Sequence, residues 1–436
     1  MFENIIEQGA ALQLRDDILS GRLAPSMLFY GPSETGKGSA ALELARVLSC
    51  EGDTSWKCRC PACESHRYLR HGDLLILGSR SFSAEIAASS SAFLREPSNQ
   101  NTKTLFVRSL RKLQIRFSQV LMEADPKLGK ISPLLQSLEE DLNELWFVTD
   151  STNPSVPEKL AGSLVKDALK LESEGMSGFI PVGHIRRAAY WCRLAPNGKR
   201  KTLIIENADR MKEEARNSLL KLLEEPPDTV CIVLTSQRRE SIMPTILSRL
   251  RPYRFLKRGT ESEKEVIRRV FRDSANEDSP ISAYLDSFLP TNTEKLYPLA
   301  AYFIASLART AALSLKKKGA VIPAMINSLG ERYAPIADEA GFERSVRSAV
   351  IIKTLLAEGG NFEDDAFSRF LKAVLENISP FLRTAENPQY IAYNEMFKKY
   401  TGEAETAVGV LNQSPALALE ALFHKLKTAL AGIQYE

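Results

Sequence analysis

The chain has 436 residues, of which 44% are hydrophobic and 25% are charged, and this composition is typical of a globular protein. A chain of this length predicts roughly two to four domains. The net charge of +3 argues against a strongly basic nucleic-acid binder, so any contact with DNA should be local. The sequence has no apolar run of membrane-spanning length, and its start lacks the pattern of a signal peptide. We therefore expect a cytoplasmic protein without membrane contact.

The first predicted elements form a strand, a loop and a helix. Residues 26–30 (SMLFY) have the pattern of a short buried strand, and an amphipathic helix follows the segment GPSETGKGS. Gly31, Gly36 and Lys37 satisfy the pattern G-x-x-x-x-G-K, in which backbone N–H groups, a helix N-terminus and a lysine surround phosphate groups. The candidate residues for binding ATP or ADP are Gly31, Pro32, Ser33, Thr35, Gly36, Lys37, Gly38 and Ser39.

This loop departs from a working ATPase at the residue that follows the lysine. A serine or threonine normally stands there and binds Mg²⁺ through its hydroxyl, whereas this chain has Gly38, with Ser39 one position late. Two interpretations remain open at this point. Either the loop still binds a nucleotide, or it is the inherited structural remnant of an ATPase.

Four of the six cysteines stand within fourteen residues, at Cys50, Cys58, Cys60 and Cys63. In a reducing compartment this crowding favours a metal site over disulfides, and four thiolates suit a closed tetrahedral Zn²⁺ site. The alternative is a set of buried or free thiols. His66 could compete as a ligand, but four thiols suffice for such a site, and Cys192 and Cys231 have the surroundings of core residues.

A second strand is predicted at residues 73–77, after which residues 79–178 interrupt the α/β pattern. This interruption is predicted to begin with a Ser/Ala-rich loop and to continue as helices. Residues 103–116 carry five basic side chains around an apolar stripe, and they are interpreted either as a solvated helix face or as a contact with DNA phosphate. These basic residues are Lys103, Arg108, Arg111, Lys112 and Arg116.

The α/β pattern resumes near residue 180, with strands predicted at residues 202–206 and 229–235 and a helix at residues 211–224. A working ATPase of this class ends the first of these strands with Asp-Glu, which position Mg²⁺ and polarise the attacking water. Here Glu206 and Asn207 hold those positions, and an asparagine cannot act as a base. After residue 257 the pattern is helical to the end.

Several of these segments together resemble the AAA+ clamp-loader subunits of bacterial DNA polymerase III, gamma/tau and delta prime. They are GPSETGKGS, the four-cysteine module after the loop helix, IPVGHIRR, and the run IIENADRMKEEARNSLLKLLEEPP with the later LTSQRRESIMPTILSRLRPYRF. Residues 217–227 are the most specific part. The altered strand end resembles the delta-prime type, and the lid motif that carries the second ATP sensor in gamma-type subunits was not found.

The resemblance implies an α/β AAA+ phosphate-loop domain with a parallel sheet at residues 1–257, which includes a zinc module at 50–63 and a helical insertion at about 79–178. A small helical lid at 258–290 and an all-α collar domain at 291–436 would follow. The implied function is that of a non-hydrolysing component of the DNA polymerase III holoenzyme. Its implied partners are the gamma/tau and delta subunits, the sliding clamp and, through the complex, primed DNA.

The resemblance also gives Arg249 a role. In this family an arginine of a Ser-Arg-Cys motif acts in trans on the ATP of a neighbouring subunit, and Ser248-Arg249-Leu250 occupies that place here. An ordinary surface or salt-bridged arginine is the alternative, with Arg251 and Arg254 as further candidates for the trans-acting role.

Other functions remain open on the sequence alone. One is a gamma/tau-like motor that hydrolyses ATP. Another is an unrelated phosphate-loop enzyme or regulatory protein, and a third is a standalone zinc-dependent nucleic-acid-binding protein.

Overall fold

The computed structural model describes residues 1–149, 152–289, 293–314, 363–383, 388–409 and 413–432. The chain divides into two compact units, Met1–Leu289 and Pro290–Glu436. Within the described residues, no helix combines the length and the apolar character needed to cross a membrane. The predicted collar range lies partly outside the described residues, and the predicted domain boundaries stay predictions.

The first unit contains a sheet of parallel strands, in the spatial order β2-β3-β4-β1-β5. Its strands are β1 (Ser26–Tyr30), β2 (Leu74–Gly78), β3 (Lys201–Glu206), β4 (Val230–Ser236) and β5 (Arg251–Arg254). Strands β1 to β4 are almost continuously buried, as expected for a parallel sheet that is covered on both faces. The α/β fold class with a parallel sheet is confirmed.

Helices cover the sheet and fill the long interval between β2 and β3. In the first unit these are α1 (Gly9–Leu19), α2 (Lys37–Ser49), α3 (Pro61–Arg67), α4 (Ser83–Arg95), α5 (Gln100–Gln114), α6 (Gln119–Met122), α7 (Leu128–Glu144), α8 (Ser155–Gly175), α9 (Val182–Arg193), α10 (Glu213–Glu224), α11 (Pro244–Leu247), α12 (Thr260–Val266) and α13 (Ile281–Ser287). Helices α4 to α8 form the expected helical interruption.

Two apolar clusters hold the sheet between its helical layers. On one face, Leu203 and Ile205 of β3 pack with Leu219 of α10. On the other face, Ile204 packs with Leu44 of α2. This alternation follows from the two-residue period of a strand. Because the strands are parallel, the carboxyl ends of β1, β2, β3 and β4 lie at one edge of the sheet. In open parallel sheets this edge is where ligands bind.

One sequence-based prediction about local structure was wrong, and one strand was missed. The Ser/Ala-rich segment that was expected to be a loop is helix α4, because Ile86 and Phe93 are fully buried on its inner side and Ser89 bonds to Ser109 of α5. Strand β5 was not predicted. Its sequence RPYR buries only Tyr253, so it lacks the apolar signal of the other strands.

The basic residues of the interruption were also misinterpreted, because they are neither a solvated face nor an exposed DNA contact. The relative exposure of Lys103, Arg111 and Arg116 is between 3% and 8%. Lys103 donates to the carbonyl of Val148, and Arg108 donates to the carbonyl of Arg67. These side chains therefore make internal contacts.

The π-helical segment Ile267–Phe271, which follows α12, and helix α13 pack against α4 at the end of the first unit. Ala88 of α4 shares an apolar cluster with Ile267, Phe271, Ile281 and Tyr284.

The second unit is helical in its described residues. It contains α14 (Thr293–Ser314), α15 (Glu363–Arg383), α16 (Pro388–Gly409) and α17 (Pro415–Gly432). Buried residues from all four helices, such as Phe303, Phe370, Phe397 and Leu426, share one apolar core. The helical character predicted for the C-terminal region is confirmed here.

Candidate phosphate-loop and metal sites

The phosphate loop curls between β1 and α2 because its glycines adopt backbone conformations that other residues avoid. Gly31 has φ of +146°, and a β-carbon there would lie 2.0 Å from the carbonyl oxygen of Phe255. Gly36 has φ of +91° and precedes the first turn of α2. The loop therefore has the strand–loop–helix context that the motif requires.

Lys37 is turned back onto its own loop. Its Nζ donates to the carbonyl of Gly31 at 2.7 Å and to the carbonyl of Pro32. The side chain is buried, and this burial lowers the pKa of Lys37 to about 8, although Glu34, Asp209 and Glu206 oppose the shift. The ammonium group is thus occupied by loop carbonyls within this chain.

Glu206, at the end of β3, is held by two arginines. Nε of Arg80 donates to Oε2 of Glu206 at 3.0 Å, and Arg116 donates to the same oxygen. Both guanidinium groups lie over the ring of Phe82, 4.1 and 4.7 Å from its centroid. Burial alone would raise the pKa of Glu206, but Arg116 and Arg80 outweigh it and keep this pKa below its usual range. The carboxylate is therefore ionised and paired.

A second carboxylate completes this charged cluster. Glu85 of α4 accepts from Arg80 at 2.8 Å and from Lys112 of α5. Burial would raise the pKa of Glu85, yet Lys112 and Arg80 hold it far below its usual range. We call Arg80, Glu85, Lys112, Arg116 and Glu206 the arginine cluster.

Asn207 is held by hydrogen bonds, and its amide side chain cannot act as a base that activates water. Its backbone is left-handed, with φ of 51°, which asparagine tolerates better than most residues. Its Nδ2 donates to the carbonyl of Ser79 at 2.9 Å, and its N–H donates to Oγ1 of Thr235 at 3.1 Å. The side chain thus joins the ends of β2 and β3.

The residues around the N-terminus of α2 do not fit the Mg²⁺ ion that the loop motif implies. Gly38 has no oxygen ligand in its side chain, and a β-carbon there would lie 2.8 Å from Oε1 of Glu206. Glu206 already neutralises two guanidinium groups, and Asn207 bonds to Ser79. A divalent ion would have to displace charged partners that are part of the fold.

The four cysteines come together as the sequence predicts. Their four Sγ atoms all lie within 4.8 Å of one another. The Cys50 sulfur is 3.6 Å from that of Cys58 and 3.9 Å from that of Cys60. Tetrahedral zinc with Zn–S bonds of about 2.3 Å requires sulfurs about 3.8 Å apart, so these spacings fit a closed thiolate site.

The cysteine cluster is anchored to the helix that begins at the phosphate loop. Nη1 of Arg46, on α2, donates to Sγ of Cys63 at 3.0 Å, and Arg46 forms a buried ion pair with Glu43 at 2.7 Å. This cation lies beside a group that would be anionic with metal bound. His66 is not one of the clustered groups; its ring stacks on His71.

Arg249 lies outside both sites, just after α11. Its Nη2 bonds to Oε1 of Glu224 at 2.7 Å, and its Nη1 bonds to the carbonyl of Thr245 at 2.6 Å. About a third of the side chain is exposed, at 32%. Among the further candidates, Arg251 pairs with Asp17 and Arg254 is exposed.

The sequence reasoning did not identify Arg80 and Arg116 as partners of Glu206. These contacts join residues that are 126 and 90 positions apart in the chain. The basic segment that contains Arg116 was a signal, but nothing local indicated that it faces inward.

The comparisons with a family model and with a curated protein agree with the motifs. The family model described as "DNA polymerase III, delta subunit" matches residues 6–145 and 150–258, more than half of the chain. A DNA polymerase III subunit delta' of Pseudomonas aeruginosa is 35% identical over 91 residues, which cover 21% of this chain and only 28% of that protein. A solved gamma subunit-related protein from Thermotoga maritima is 18% identical with a TM-score of 0.29, covering 63% of this chain and 91% of that one.

Proposed function

Since the chain belongs to the delta-prime subunit family of DNA polymerase III, we propose that it is a non-hydrolysing subunit of the bacterial clamp loader. In this role it helps the gamma/tau and delta subunits to place the sliding clamp on primed DNA, as a component of the polymerase III holoenzyme. The observation that carries the proposal is the end of β3, where Glu206 is paired with Arg80 and Arg116 and Asn207 replaces a base. The match to a polymerase III family argues against an unrelated phosphate-loop regulator.

The phosphate loop is interpreted as a structural remnant. Lys37 satisfies carbonyls of its own loop, and Gly38 offers no ligand to a metal. Phosphoryl transfer depends on positioned cations and on a positioned water. Because Gly38 cannot bind the metal and Asn207 cannot activate the water, we expect no hydrolysis of ATP.

A gamma/tau-like motor is the alternative, and ATP turnover separates the two. We expect the purified chain with Mg²⁺ and ATP to release phosphate no faster than its Lys37→Ala variant. Steady release that is lost in Lys37→Ala would contradict the proposal and favour the motor. An Asn207→Glu variant measured beside them shows whether the missing carboxylate alone is limiting, and we expect no turnover from it.

Assembly is tested by reconstitution with gamma/tau and delta subunits. We expect the chain to co-elute with them and to be required for loading of the clamp on primed DNA. Failure to assemble would contradict the clamp-loader role, and tight, salt-sensitive DNA binding by the chain alone would instead support a standalone nucleic-acid-binding protein.

The cysteine cluster is proposed to hold one structural Zn²⁺. The sulfur spacings and the nearby Arg46 support this assignment. We expect purified protein to contain zinc in a one-to-one ratio, measured by atomic absorption, and Cys58→Ser/Cys63→Ser to lose it. A matched Cys192→Ser variant, which changes a buried cysteine outside the cluster, should retain the metal. Full zinc content in the double variant would contradict the assignment.

Arg249 is proposed as the trans-acting arginine for the ATP of a neighbouring gamma subunit. Its partial exposure, and a place near the surface at the end of a short helix, support this role. In the isolated chain its guanidinium is held by Glu224, so assembly would have to exchange this surface pair for a phosphate group. Exposed ion pairs of this kind are worth only about 0.2–1 kcal/mol, so the exchange costs little.

A further inference from the structure

The segment between β2 and β3 contributes charged groups to the end of β3, the position where a working ATPase of this class has Asp-Glu. Arg116 follows directly after α5 and is almost fully buried, with 4% of its side chain exposed. Arg80 comes from the turn after β2, with 26% exposed. Both donate to one oxygen of Glu206, whose other oxygen lies against Gly38. The two guanidinium groups thus carry the two positive charges that a divalent ion would bring to this carboxylate.

The cluster is built to keep this arrangement. The ring of Phe82 is fully buried and lies under both guanidinium groups. Glu85 and Lys112 add a second layer, so that Arg80 joins two carboxylates. Breaking a buried network of this kind by removing one partner leaves an uncompensated charge and is strongly unfavourable.

The same helix that carries Glu85 also contacts the helices at the end of the first unit. Arg95 of α4 donates to the carbonyl of Phe271 at 2.7 Å and pairs with Asp273 at 3.3 Å. Arg272 pairs with Glu96, directly after α4, at 2.7 Å. Helix α4 therefore connects the end of β3 with the segment that follows the sheet.

We propose that Arg80 and Arg116 replace the divalent metal ion of the phosphate-loop site, and that the inserted helices serve to hold this internal cation in place. The site then keeps one arrangement with or without nucleotide, which assigns a purpose to the insertion. The inference rests on the proposed non-hydrolysing role and deepens it.

The experiment measures binding of Mn²⁺ with ADP to the zinc-loaded full chain, using electron paramagnetic resonance of free Mn²⁺. We expect the unmodified chain to bind Mn²⁺–ADP only weakly. We expect Arg80→Met/Arg116→Met to bind Mn²⁺–ADP at least about tenfold more tightly, because a cation that competes within a few ångströms has been removed. Arg268→Met/Arg269→Met is the matched control, since both arginines pair with one glutamate, Glu265, at the surface.

Two outcomes would overturn the inference. One is that the folded double variant gains no affinity over the unmodified chain. The other is tight Mn²⁺–ADP binding by the unmodified chain that is lost in Glu206→Gln, because Glu206 would then be a metal ligand. If the double variant does not fold, the single variant Arg116→Met is measured in its place. We expect a smaller gain in affinity for Mn²⁺–ADP from it, and a folded Arg116→Met protein with no gain in affinity would count against the proposal. Binding is measured without turnover, so this result is distinct from the phosphate-release assay.

Discussion

At the scale of single residues, Gly38 leaves room for the carboxylate of Glu206, which two arginines distant in sequence hold in place. A β-carbon at this position would meet Oε1 of Glu206 at 2.8 Å. The end of a glutamate side chain usually moves aside, but this carboxylate is fixed by Arg80 and Arg116. The glycine is therefore required by the packing of the paired carboxylate, and its lack of a metal-binding hydroxyl accompanies that packing.

We expect Gly38→Ser to lower the free energy of unfolding by about 1–3 kcal/mol, a typical cost of overpacking. Urea denaturation measures it. The effect should shrink in the Arg116→Met background, where the carboxylate is free to move, so a double-mutant cycle should show coupling between the two sites. Additive effects would mean that Glu206 is not held in the way described. Gly129→Ser, at a glycine with open space around it, is the control.

Lys37 gives a prediction about pH. Its pKa is lowered by burial from 10.5 to about 8, so between these values the unfolded chain binds a proton that the folded chain does not. Stability contributed by this group therefore rises as the pH increases through this range. We expect the unmodified chain to gain on the order of 2 kcal/mol relative to Lys37→Met between pH 8 and 10.5, measured by denaturant unfolding. A difference that does not change with pH would show that the lysine is solvated.

At the scale of elements, Glu172 shows how the interruption is held together. It lies on α8 and is buried, yet its carboxylate accepts from the N–H of Phe82 and the hydroxyl of Ser83, both at 2.6 Å. These groups stand at the start of α4, whose first N–H groups have no partner within the helix. One helix of the interruption thus caps another, next to the arginine cluster.

We expect Glu172→Ala to destabilise the first unit by about 1–2 kcal/mol, the usual cost of losing a helix cap. Hydrogen exchange should show faster exchange of the amides at the start of α4. Glu174→Ala is a control on the same helix, because Glu174 forms a long ion pair with Lys130, at 3.9 Å, and no other ion pair within the described residues. Unchanged protection of α4 in Glu172→Ala would contradict the capping role.

The elements differ in how well the sequence predicts them, and the reason is burial. Strands β1 to β4 are apolar along their length, so pattern alone placed each end to within one residue. Helix α4 was taken for a loop because its small residues give little apolar contrast, although Ser89 and Ala92 are fully buried. Strand β5 gave no signal since it buries one side chain of four.

The candidate sites follow the same division. The loop glycines, Lys37 and the four cysteines are close in sequence, so spacing identifies them. The pairing of Arg80 and Arg116 with Glu206 depends on how the inserted helices fold back onto the sheet, and no local pattern encodes that. A run of basic residues alone does not reveal whether it faces solvent or a buried carboxylate.

At the scale of the whole molecule, the first unit is an α/β body whose phosphate-loop edge is filled by its own side chains, and the described residues of the second unit are helical. A subunit of this kind can serve an assembly by its shape and by groups on its surface, without a nucleotide cycle of its own. Arg249 is the surface group for which the family resemblance suggests a chemical role, and it is held by a pair with Glu224 that water reaches.

We therefore expect Arg249→Ala to assemble normally with gamma/tau and delta subunits but to lower their ATP turnover. An arginine that stabilises charge in phosphoryl transfer contributes about a thousandfold or more at the site that it serves, which steady-state phosphate release by the assembly would register as a clear loss. Arg249→Lys should recover only part of it, because an ammonium cannot reproduce the two-pronged contact of a guanidinium. Arg15→Ala is the matched control, because Arg15 is also a surface arginine in an exposed ion pair, with Asp16, and lies outside the candidate motif. Full turnover in an intact assembly that carries Arg249→Ala would show that this arginine is a surface residue and that the chain contributes to the assembly by its shape alone.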